Sequence, residues 1–232
     1  MNLKTLSNHL LSLFYPEECV VCQNILIEGE EFLCLHCLHQ LPKTNHYLRP
    51  ENAASKNLIG KVLFKNVTTY LFYSKGGLSQ SIIAEIKYRG NRRFGTWMGA
   101  YLASDIKDSG FFDHFDLLVP IPLHKKKIQK RGFNQAEIIA QGISKATNIP
   151  VNTNGLRRLI ANPTQTKKGS FERWLNTKDI FVVKDSDCFK NKKLLLIDDV
   201  FTTGSTIEAA IEVINKECEN VEVSVLTLAL SC

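Results

Sequence analysis

The sequence lacks any long hydrophobic run, and none of its apolar stretches approaches the ~20 residues that a membrane-spanning helix needs. The segment Met1 to Pro16 has no cationic start followed by a continuous apolar core, so we do not expect a cleaved signal peptide. Internal repeats and low-complexity tracts are also absent, which argues against a repeat architecture or a disordered scaffold. These absences, together with cysteines in metal-binding spacing, predict a cytoplasmic protein without a membrane span.

Cysteines are concentrated near the N-terminus, as Cys19-x-x-Cys22 and Cys34-x-x-Cys37 with eleven residues between the pairs. This spacing is typical of one tetrahedral Zn2+ site with four thiolate ligands. So short a segment buries little apolar surface, and bound metal would supply its folding free energy, about 10 to 16 kcal/mol in comparable peptides. Two disulfides are the alternative, and His36 or His39 could replace a thiolate ligand. The remaining cysteines follow no paired pattern and are expected to be small, partly buried side chains: Cys188, Cys218 and Cys232.

The chain is long enough for one main domain and a small appendage, since 232 residues with 44% apolar composition can bury about 70% of their unfolded surface. Ahead of the cysteines, apolar side chains recur at helical spacing: Leu3, Leu6, Leu10, Leu13 and Phe14. We expect this helix to pack on the zinc module rather than on a membrane or partner. Leu41 to Lys61 is polar, contains Pro42 and Pro50, and is predicted to be a connector. The predicted organisation is therefore a helix, zinc ribbon and linker over residues 1–59, and a main domain over 60–232.

Strands alternate with helices in the main domain. Strands are predicted at residues 62–73, where an edge pair or hairpin is expected, and at 116–122, 179–183, 194–197 and 221–229. Helices are predicted from apolar sets at helical spacing: Leu78, Ile82 and Ile86; Phe94, Trp97, Met98, Tyr101 and Leu102; Ala136, Ile139, Ala140 and Ile143; Ile207, Ala210, Ile211 and Ile214. Asn134 and Glu137 are predicted to form a capping pair for the third helix. Right-handed crossovers between such strands give an α/β fold with a parallel sheet covered on both faces.

The junction after Leu194 to Ile197 carries the strongest chemical signal. Two carboxylates, Asp198 and Asp199, follow this apolar strand and precede a hydroxyl-rich turn that opens a helix. Unpaired N–H groups and the positive dipole end of that helix suit a phosphate, while ionised Asp side chains suit the two donors of a vicinal diol. Successive strand residues point to opposite faces, so one Asp could instead orient the turn. The pattern predicts a site for a phosphorylated ribose.

The order of residues at this junction is four apolar, two acidic and two apolar, then Thr-Thr-Gly-x-Thr. It resembles the phosphoribosyl diphosphate (PRPP) loop of type I phosphoribosyltransferases. The resemblance implies a ligand at the C-terminal edge of a parallel sheet, with Mg2+ bridging diphosphate and ribose hydroxyls. The implied PRPP-binding residues are Asp198, Asp199, Val200, Phe201, Thr202, Thr203, Gly204, Ser205 and Thr206. In the purine-salvage branch of that family, an Asp commonly occupies the position of Thr202 and acts as general base. Thr202 cannot act as a general base at neutral pH. We therefore assign no catalytic residue.

Three further strings resemble the ComF family of competence-associated proteins: Ile86 to Gly90, Val119 to His124, and Lys130 to Ala136. With the cysteine pairs ahead of them and the PRPP loop behind, the resemblance spans essentially the whole length. Its most specific part is the string from Arg131 to Gln135. The resemblance implies a phosphoribosyltransferase-like fold and a role in handling incoming single-stranded DNA, and it establishes no reaction.

A diphosphate pocket is predicted where the chain leaves the strand at Pro120, from Pro122, Leu123 and His124 with help from Lys87 and Arg131; a simple strand exit is the alternative. The net charge of +6 is concentrated in clusters that suit polyanions: Lys87, Arg89, Arg92 and Arg93; Lys125, Lys126, Lys127, Lys130 and Arg131; Arg157, Arg158, Lys167 and Lys168. A solvated face is the alternative for any one cluster. The polar segment Ala161 to Thr177 is predicted to be a lid or a short helix.

The leading hypothesis is therefore a cytoplasmic, zinc-containing ComF-type protein that binds PRPP or a related sugar phosphate with Mg2+ and serves in DNA uptake. Its pocket or its cationic surface would also contact single-stranded DNA and DNA-uptake proteins. One alternative is an active phosphoribosyltransferase that joins PRPP to an unknown nitrogen acceptor. The other is a PRPP-sensing regulator or scaffold without turnover.

Overall fold

The computed structural model describes residues 16–159 and 180–231. In chain order, the elements are α1 (Leu35–His39), α2 (Ala53–Lys56), β1 (Val67–Phe72), α3 (Leu78–Lys87), α4 (Arg92–Ile106), β2 (Leu117–Pro120), α5 (Lys125–Arg131), α6 (Gln135–Thr147), β3 (Leu156–Arg158), β4 (Phe181–Val183), β5 (Lys193–Phe201), α7 (Ser205–Glu217) and β6 (Glu222–Leu230). Short 3-10 turns occupy His46–Leu48, Lys107–Ser109 and Ser186–Cys188. The predicted N-terminal helix, the segment Ala161 to Thr177 and Cys232 lie outside the described residues.

Four strands form one parallel sheet in the order β1-β6-β5-β2. β3 and β4 pair with each other in antiparallel fashion in a separate sheet. β5 is flanked by β2 and β6, with Leu195 beside Leu118 of β2 and Ile197 beside Leu226 of β6. The predicted α/β fold class, a parallel sheet flanked by helices, is confirmed.

Both faces of β5 are buried, which explains its uninterrupted apolar run. Leu195 and Ile197 pack in the core that contains side chains of α3, α4 and α6. Leu194 and Leu196 point to the opposite face and pack in the core that contains side chains of α2 and α7. A strand covered on both sides needs no polar alternation, and the site at its C-terminal end therefore rests on a rigid support.

The segment predicted to be a connector is part of the folded core. The N–H of Thr44 donates to the Tyr70 carbonyl at 2.9 Å, and the N–H of Phe72 donates to the Pro42 carbonyl at 2.8 Å. Ala54 and Leu58 are completely buried against the sheet. The cysteine module packs against the main domain. The ring centroid of Phe32 lies 5.7 Å from that of Phe94 and 5.8 Å from that of Trp97. The division at residues 59 and 60 stays a prediction.

Two local details differ from the sequence-based prediction, and a third decides between two predicted alternatives. β5 does not end at Ile197 but continues to Phe201, so both aspartates belong to the strand. β1 pairs in parallel with β6 as an edge strand, which decides between the edge pair and the hairpin predicted for residues 62–73. Asn134 precedes α6 as predicted, but its side chain caps nothing; its Nδ2 donates to the Ile121 carbonyl at 3.0 Å. That carbonyl, supplied by the chain leaving β2, competes successfully for the buried amide.

Candidate functional site

Asp198 and Asp199 lie at the C-terminal end of β5, where the chain leaving β2 passes beside them. Pro120 is level with Ile197, and the N–H of Ile121 donates to the Ile197 carbonyl at 2.8 Å. Both Asp side chains are partly buried. The Asp198 carboxylate bends toward the following peptide group, since its Oδ1 accepts the N–H of Asp199 at 2.8 Å. The two carboxylates thus occupy the sheet edge at which parallel α/β folds commonly bind ligands.

Lys87 neutralises one of the two carboxylates. Its Nζ lies 3.0 Å from Asp199 Oδ1, and the side chains are only 19% and 13% exposed, respectively. Lys87 is the last residue of α3, so the helix end positions the ammonium group over the strand end. The sequence predicts this lysine for a diphosphate; the structure shows it joined to the diol-binding candidate, and the diphosphate role stays a prediction.

The surroundings of Asp198 favour its protonated form. Burial, and then repulsion from the Asp199 carboxylate, raise the pKa of Asp198 to about 7. The Asp199 N–H, Lys87 and Arg158 oppose this rise without cancelling it. Asp198 is therefore partly protonated near neutral pH, and its capacity to accept two hydrogen bonds depends on pH.

The turn after β5 has the form that an anion site needs. Gly204 precedes α7 with a φ of 81°, in the region that favours glycine, and a Cβ there would lie 2.8 Å from Cζ of Phe201. Thr202, Thr203 and Ser205 are exposed, and the Thr203 and Ser205 hydroxyls lie 3.0 Å apart. The first intrahelical bond runs from the Glu208 N–H to the Gly204 carbonyl at 2.8 Å, and the Ser205 N–H points to the Thr203 hydroxyl at 3.5 Å. The rest of the first turn of this 13-residue helix offers the N–H groups that a helix leaves without an intrahelical partner. Phosphate binding there stays a prediction.

Two cations that sequence reasoning did not assign to the site lie close to the carboxylates. Arg158 of β3 is buried; it interacts with Asp198, and its guanidinium carbon lies 5.3 Å from the Phe181 ring centroid. Lys127 of α5 has its pKa lowered by burial and then by Arg158, Arg131 and Lys87, with an opposing effect of Asp199. The basic clusters in the sequence contain both residues, but only the tertiary structure selects them from their neighbours.

The predicted diphosphate residues divide into two groups. Lys87 and Arg131 line a cavity of about 380 Å3 together with Tyr88, Gly90, Lys127 and Lys130. Pro122, Leu123 and His124 do not line it, and the Nδ1 of His124 instead accepts the Lys126 N–H at 3.2 Å at the start of α5. Arg131 is oriented by Gln135, whose Oε1 accepts from Arg131 Nη1 at 3.0 Å. A cationic pocket thus adjoins Asp199 through Lys87.

The four predicted metal ligands come together in space. The Sγ atoms of Cys19, Cys22, Cys34 and Cys37 all lie within 4.8 Å of one another. The Cys22 and Cys34 sulfurs are 3.6 Å apart, close to the ~3.8 Å edge of a tetrahedron with 2.3 Å Zn–S bonds and far longer than a disulfide. All four cysteines are free thiols, so the two-disulfide alternative is wrong, and His36 and His39 are not in the group. The cluster could hold a metal such as zinc.

Backbone donors favour the ionised form of one member of this cluster, Cys19. Burial raises the pKa of Cys19, but the backbone N–H groups of Cys22, Cys34 and Val21 outweigh that effect and lower it to about 7. The Cys34 N–H lies 3.4 Å from the Cys19 sulfur. Elsewhere, within residues 16–159 and 180–231, no helix is long and apolar enough to cross a membrane.

Sequence comparison finds relatives along most of the chain. It is 27% identical over 218 residues to competence protein ComFC of Bacillus subtilis (strain 168), covering 89% of this chain and 87% of that protein. Competence protein F of Haemophilus influenzae is 31% identical over 102 residues, 44% of each protein. The DNA utilization protein YhgH of Escherichia coli (strain K12) is 29% identical over 92 residues, 40% of each. The last two matches thus span less than half of those relatives.

No protein-family model matches the chain. Among solved structures, an allosteric regulatory enzyme of purine biosynthesis gives a TM-score of 0.39 at 15% identity, over 58% of this chain and 26% of that one. A purine phosphoribosyltransferase from Pyrococcus horikoshii gives 0.33 at 16% identity, over 57% of this chain and 71% of that one. These structural similarities are low. The assignment of the candidate site therefore depends only on the geometry of this chain.

Proposed function

We propose that this chain, a member of the ComF family, binds PRPP or a related phosphorylated ribose at the end of β5. One observation carries the proposal: the paired carboxylates Asp198 and Asp199 stand directly before the open N-terminus of α7, with cations close by. The arrangement offers acceptors for a diol and donors for an anion within one site. Each charge-assisted hydrogen bond would contribute about 1.5 to 3 kcal/mol.

The binding roles follow from the charges. Asp198 and Asp199 accept hydrogen bonds from the ribose hydroxyls, while the turn from Thr202 to Thr206 holds the 5'-phosphate through N–H groups and hydroxyls. Lys87 pairs with Asp199 in the free protein and so holds that carboxylate in position before the ligand arrives. The two parts of the site also fix the orientation of the ligand, because the carboxylates repel its phosphate and accept hydrogen bonds from its ribose hydroxyls.

Mg2+ fits this donor set only together with a diphosphate. It prefers oxygen ligands and often bridges one or two carboxylates to substrate phosphates. Here Asp199 is already paired with Lys87, and Asp198 is partly protonated, so the protein alone makes a poor cation site. The ion would therefore be held mainly by the ligand, with Asp198 and Asp199 contacting it, and would neutralise the diphosphate. PRPP affinity should depend on Mg2+, whereas ribose 5-phosphate affinity should not.

We also propose that the four-cysteine cluster holds Zn2+ in a structural site. Its four sulfur ligands leave no open position of the kind that a catalytic zinc keeps. Metal analysis of the purified protein should find one zinc per chain. Absence of any bound metal from a folded protein would refute the assignment.

A role in handling single-stranded DNA is supported by the relatives, two competence proteins and a DNA utilization protein, and by the exposed cations of α4 and α5. A DNA strand lacks the 2'-hydroxyl, so Asp198 and Asp199 would not recognise its internal sugars as diols. The strand would instead contact exposed cations such as Arg92, Arg93 and Lys126. Arg92→Glu with Arg93→Glu should weaken binding of a labelled oligonucleotide and flatten its salt dependence. An unchanged salt slope would exclude this surface.

An active transferase is a second candidate, favoured by the cavity beside Asp199, which leaves room for an acceptor. A nitrogen of the acceptor would attack C1' of PRPP, diphosphate would leave, and the nitrogen would lose its proton to a base. Thr202 is not that base. Diphosphate release should appear with one member of a panel of bases and amines, and no release across the panel would argue for binding without turnover.

Calorimetry of PRPP with Mg2+ tests the ribose site directly. The Asp198→Asn, Asp199→Asn double variant keeps the side-chain size and should weaken binding at least tenfold. The matched control is Asp113→Asn, an exposed carboxylate on the connection between α4 and β2. Unchanged affinity in the double variant would remove the ribose assignment.

A further inference from the structure

The cavity beside Asp199 contains a side chain that phosphate binding does not require. Tyr88 lies in the turn between α3 and α4 and is 77% exposed, although it lines a pocket. The guanidinium carbon of Arg131 lies 5.9 Å from its ring centroid. Most of the ring therefore remains free to contact a second ring.

The turn that carries Tyr88 is held in place by a buried carboxylate. Glu85 accepts from Arg89 Nη1 at 3.2 Å and from Asn91 Nδ2 at 3.1 Å. Gly90 has a φ of 70°, which permits the sharp connection between the two helices. Tyr88 is thus presented outward by an ordered turn, and a ring stacked on it would meet a platform that is already in position.

The charge of the cavity is one-sided. Its described lining contains four cations and no acidic side chain, the cations being Lys87, Lys127, Lys130 and Arg131. Lys87 is neutralised by Asp199, whereas none of the other three forms a salt bridge with a described residue. Burial, and then repulsion from Arg158, Arg131 and Lys87, lower the pKa of Lys127. Several negative charges on one ligand would relieve this repulsion. A volume of about 380 Å3 lies in the range of small-molecule sites.

We propose that this cavity binds a nucleotide, with its base stacked on Tyr88 and its phosphate held by Lys127, Lys130 and Arg131. The inference deepens the proposed function and rests on it for one point, the place of this second ligand beside a ribose phosphate. A free nucleotide and a nucleotide of a DNA strand offer the same base and phosphate. The site recognises that shared chemistry.

Deoxyadenosine monophosphate (dAMP) is the probe that separates this cavity from the carboxylate pair, because it has no vicinal diol. In calorimetry, Tyr88→Ala should weaken dAMP binding about tenfold, as expected for loss of one stacked base. Tyr88→Phe keeps the ring and should stay within about twofold of the wild type. Inorganic diphosphate, which has charge but no ring, should bind Tyr88→Ala and the wild type equally well.

Lys130→Ala tests the phosphate contact at an exposed residue that should not affect folding. It should weaken both dAMP and diphosphate. Equal dAMP affinity of Tyr88→Ala and the wild type, or no dAMP binding at low salt, would overturn the proposal. Loss of diphosphate binding in Tyr88→Ala would also overturn it, because the tyrosine would then act on charge rather than on a ring.

Ribose 5-phosphate distinguishes failure of this inference from failure of the ribose site. Its affinity should fall in the Asp198→Asn, Asp199→Asn variant and remain unchanged in Tyr88→Ala. If ribose 5-phosphate does not bind while dAMP binds in a Tyr88-dependent way, the nucleotide cavity stands and the ribose assignment falls. A short oligodeoxyadenylate identifies the source: affinity like that of dAMP assigns a free nucleotide, and much tighter binding that Tyr88→Ala weakens assigns a strand.

Discussion

The four-cysteine cluster and the β5–α7 junction hold their chemical groups in opposite ways. The cluster brings four like side chains together from one short segment, and their thiolates would repel one another without a cation. The junction gathers opposite charges from distant parts of the chain, with Lys87 of α3 already paired to Asp199 of β5. The first site would need a bound cation to be stable, whereas the charges of the second are largely balanced before any ligand arrives.

The surroundings of the two sites reinforce this difference. The cysteine module packs against the main domain through Phe32, which contacts Trp97, and through Leu33, which lies in the shared core. The junction is supported by a strand in which the apolar residues from Leu194 to Ile197 are completely buried on both faces. Removing the ligand should therefore unfold the module and leave the junction intact.

Metal removal should give the largest effect. If zinc supplies about 10 to 16 kcal/mol, its loss exceeds what so small a module can replace. Chelation, or Cys37→Ser, should detach Phe32 from Trp97 and shift tryptophan emission to longer wavelength. Cys188→Ser serves as the control, since that thiol lies outside the cluster. A chelated protein with unchanged emission and unchanged protease resistance would contradict the comparison.

Gly204→Ala should give the next largest loss. The left-handed conformation costs a non-glycine residue about 1 to 2 kcal/mol, and the added methyl would overlap the Phe201 ring. We expect the free energy of unfolding to fall by roughly 2 to 3 kcal/mol, including the cost of overpacking. Denaturant titration measures the loss, and Thr203→Ala, an exposed position in the same turn, is the control. Equal stability of the two variants would mean that the turn is not constrained as described.

Lys87→Met tests whether the junction is balanced by its ion pair. Leaving Asp199 without its partner should cost about 1 to 2 kcal/mol, less than the 3 to 5 kcal/mol of a fully buried pair because solvent screens part of it. Adding Asp199→Asn should recover part of this loss, which a double-mutant cycle from denaturant titrations would reveal. Additive losses in the cycle would show that the pair contributes no coupling.

Sequence proximity explains which parts of the two sites could be predicted. The cysteine cluster and the series from Asp198 to Thr206 are nearly contiguous, so their residue types and spacing predict the groups that meet. The relatives also confirm the ComF family. Strand order, by contrast, brings Arg158 and Lys127 to the carboxylates, and no local pattern encodes it.

Tertiary contacts that replace the locally expected ones explain two further features that the sequence did not predict. Asn134 has the side chain of a helix cap, and only the position of the Ile121 carbonyl decides that its amide donates there instead. The polar segment around Ala54 and Leu58 has no periodicity, yet its few apolar residues fill the face of the sheet beside α7. In both cases a single tertiary contact outweighs the local propensity.

The last expected effect concerns Asp198 and depends on pH. Because the pKa of Asp198 is raised to about 7 in the folded protein, folding takes up a proton between its unfolded pKa near 4 and pH 7. The stability contributed by this proton is present in acid and is lost as the pH rises toward 7. The groups that act on this carboxyl are Asp199, which raises its pKa, and Lys87 and Arg158, which oppose the rise.

Asp198→Asn removes the titrating group and should therefore melt at a higher temperature than the wild type at pH 8, by a margin that shrinks toward pH 5. Thermal unfolding across this range measures the margin, and Asp113→Asn should follow the wild type throughout. Ligand binding should move in the other direction, because the ionised carboxylate accepts from the diol; ribose 5-phosphate affinity should rise with pH in the wild type more than in Asp198→Asn. A melting-temperature margin independent of pH would show that Asp198 is ionised across the whole range. The nearby cations would then compensate the charge of Asp198 as well as that of Asp199.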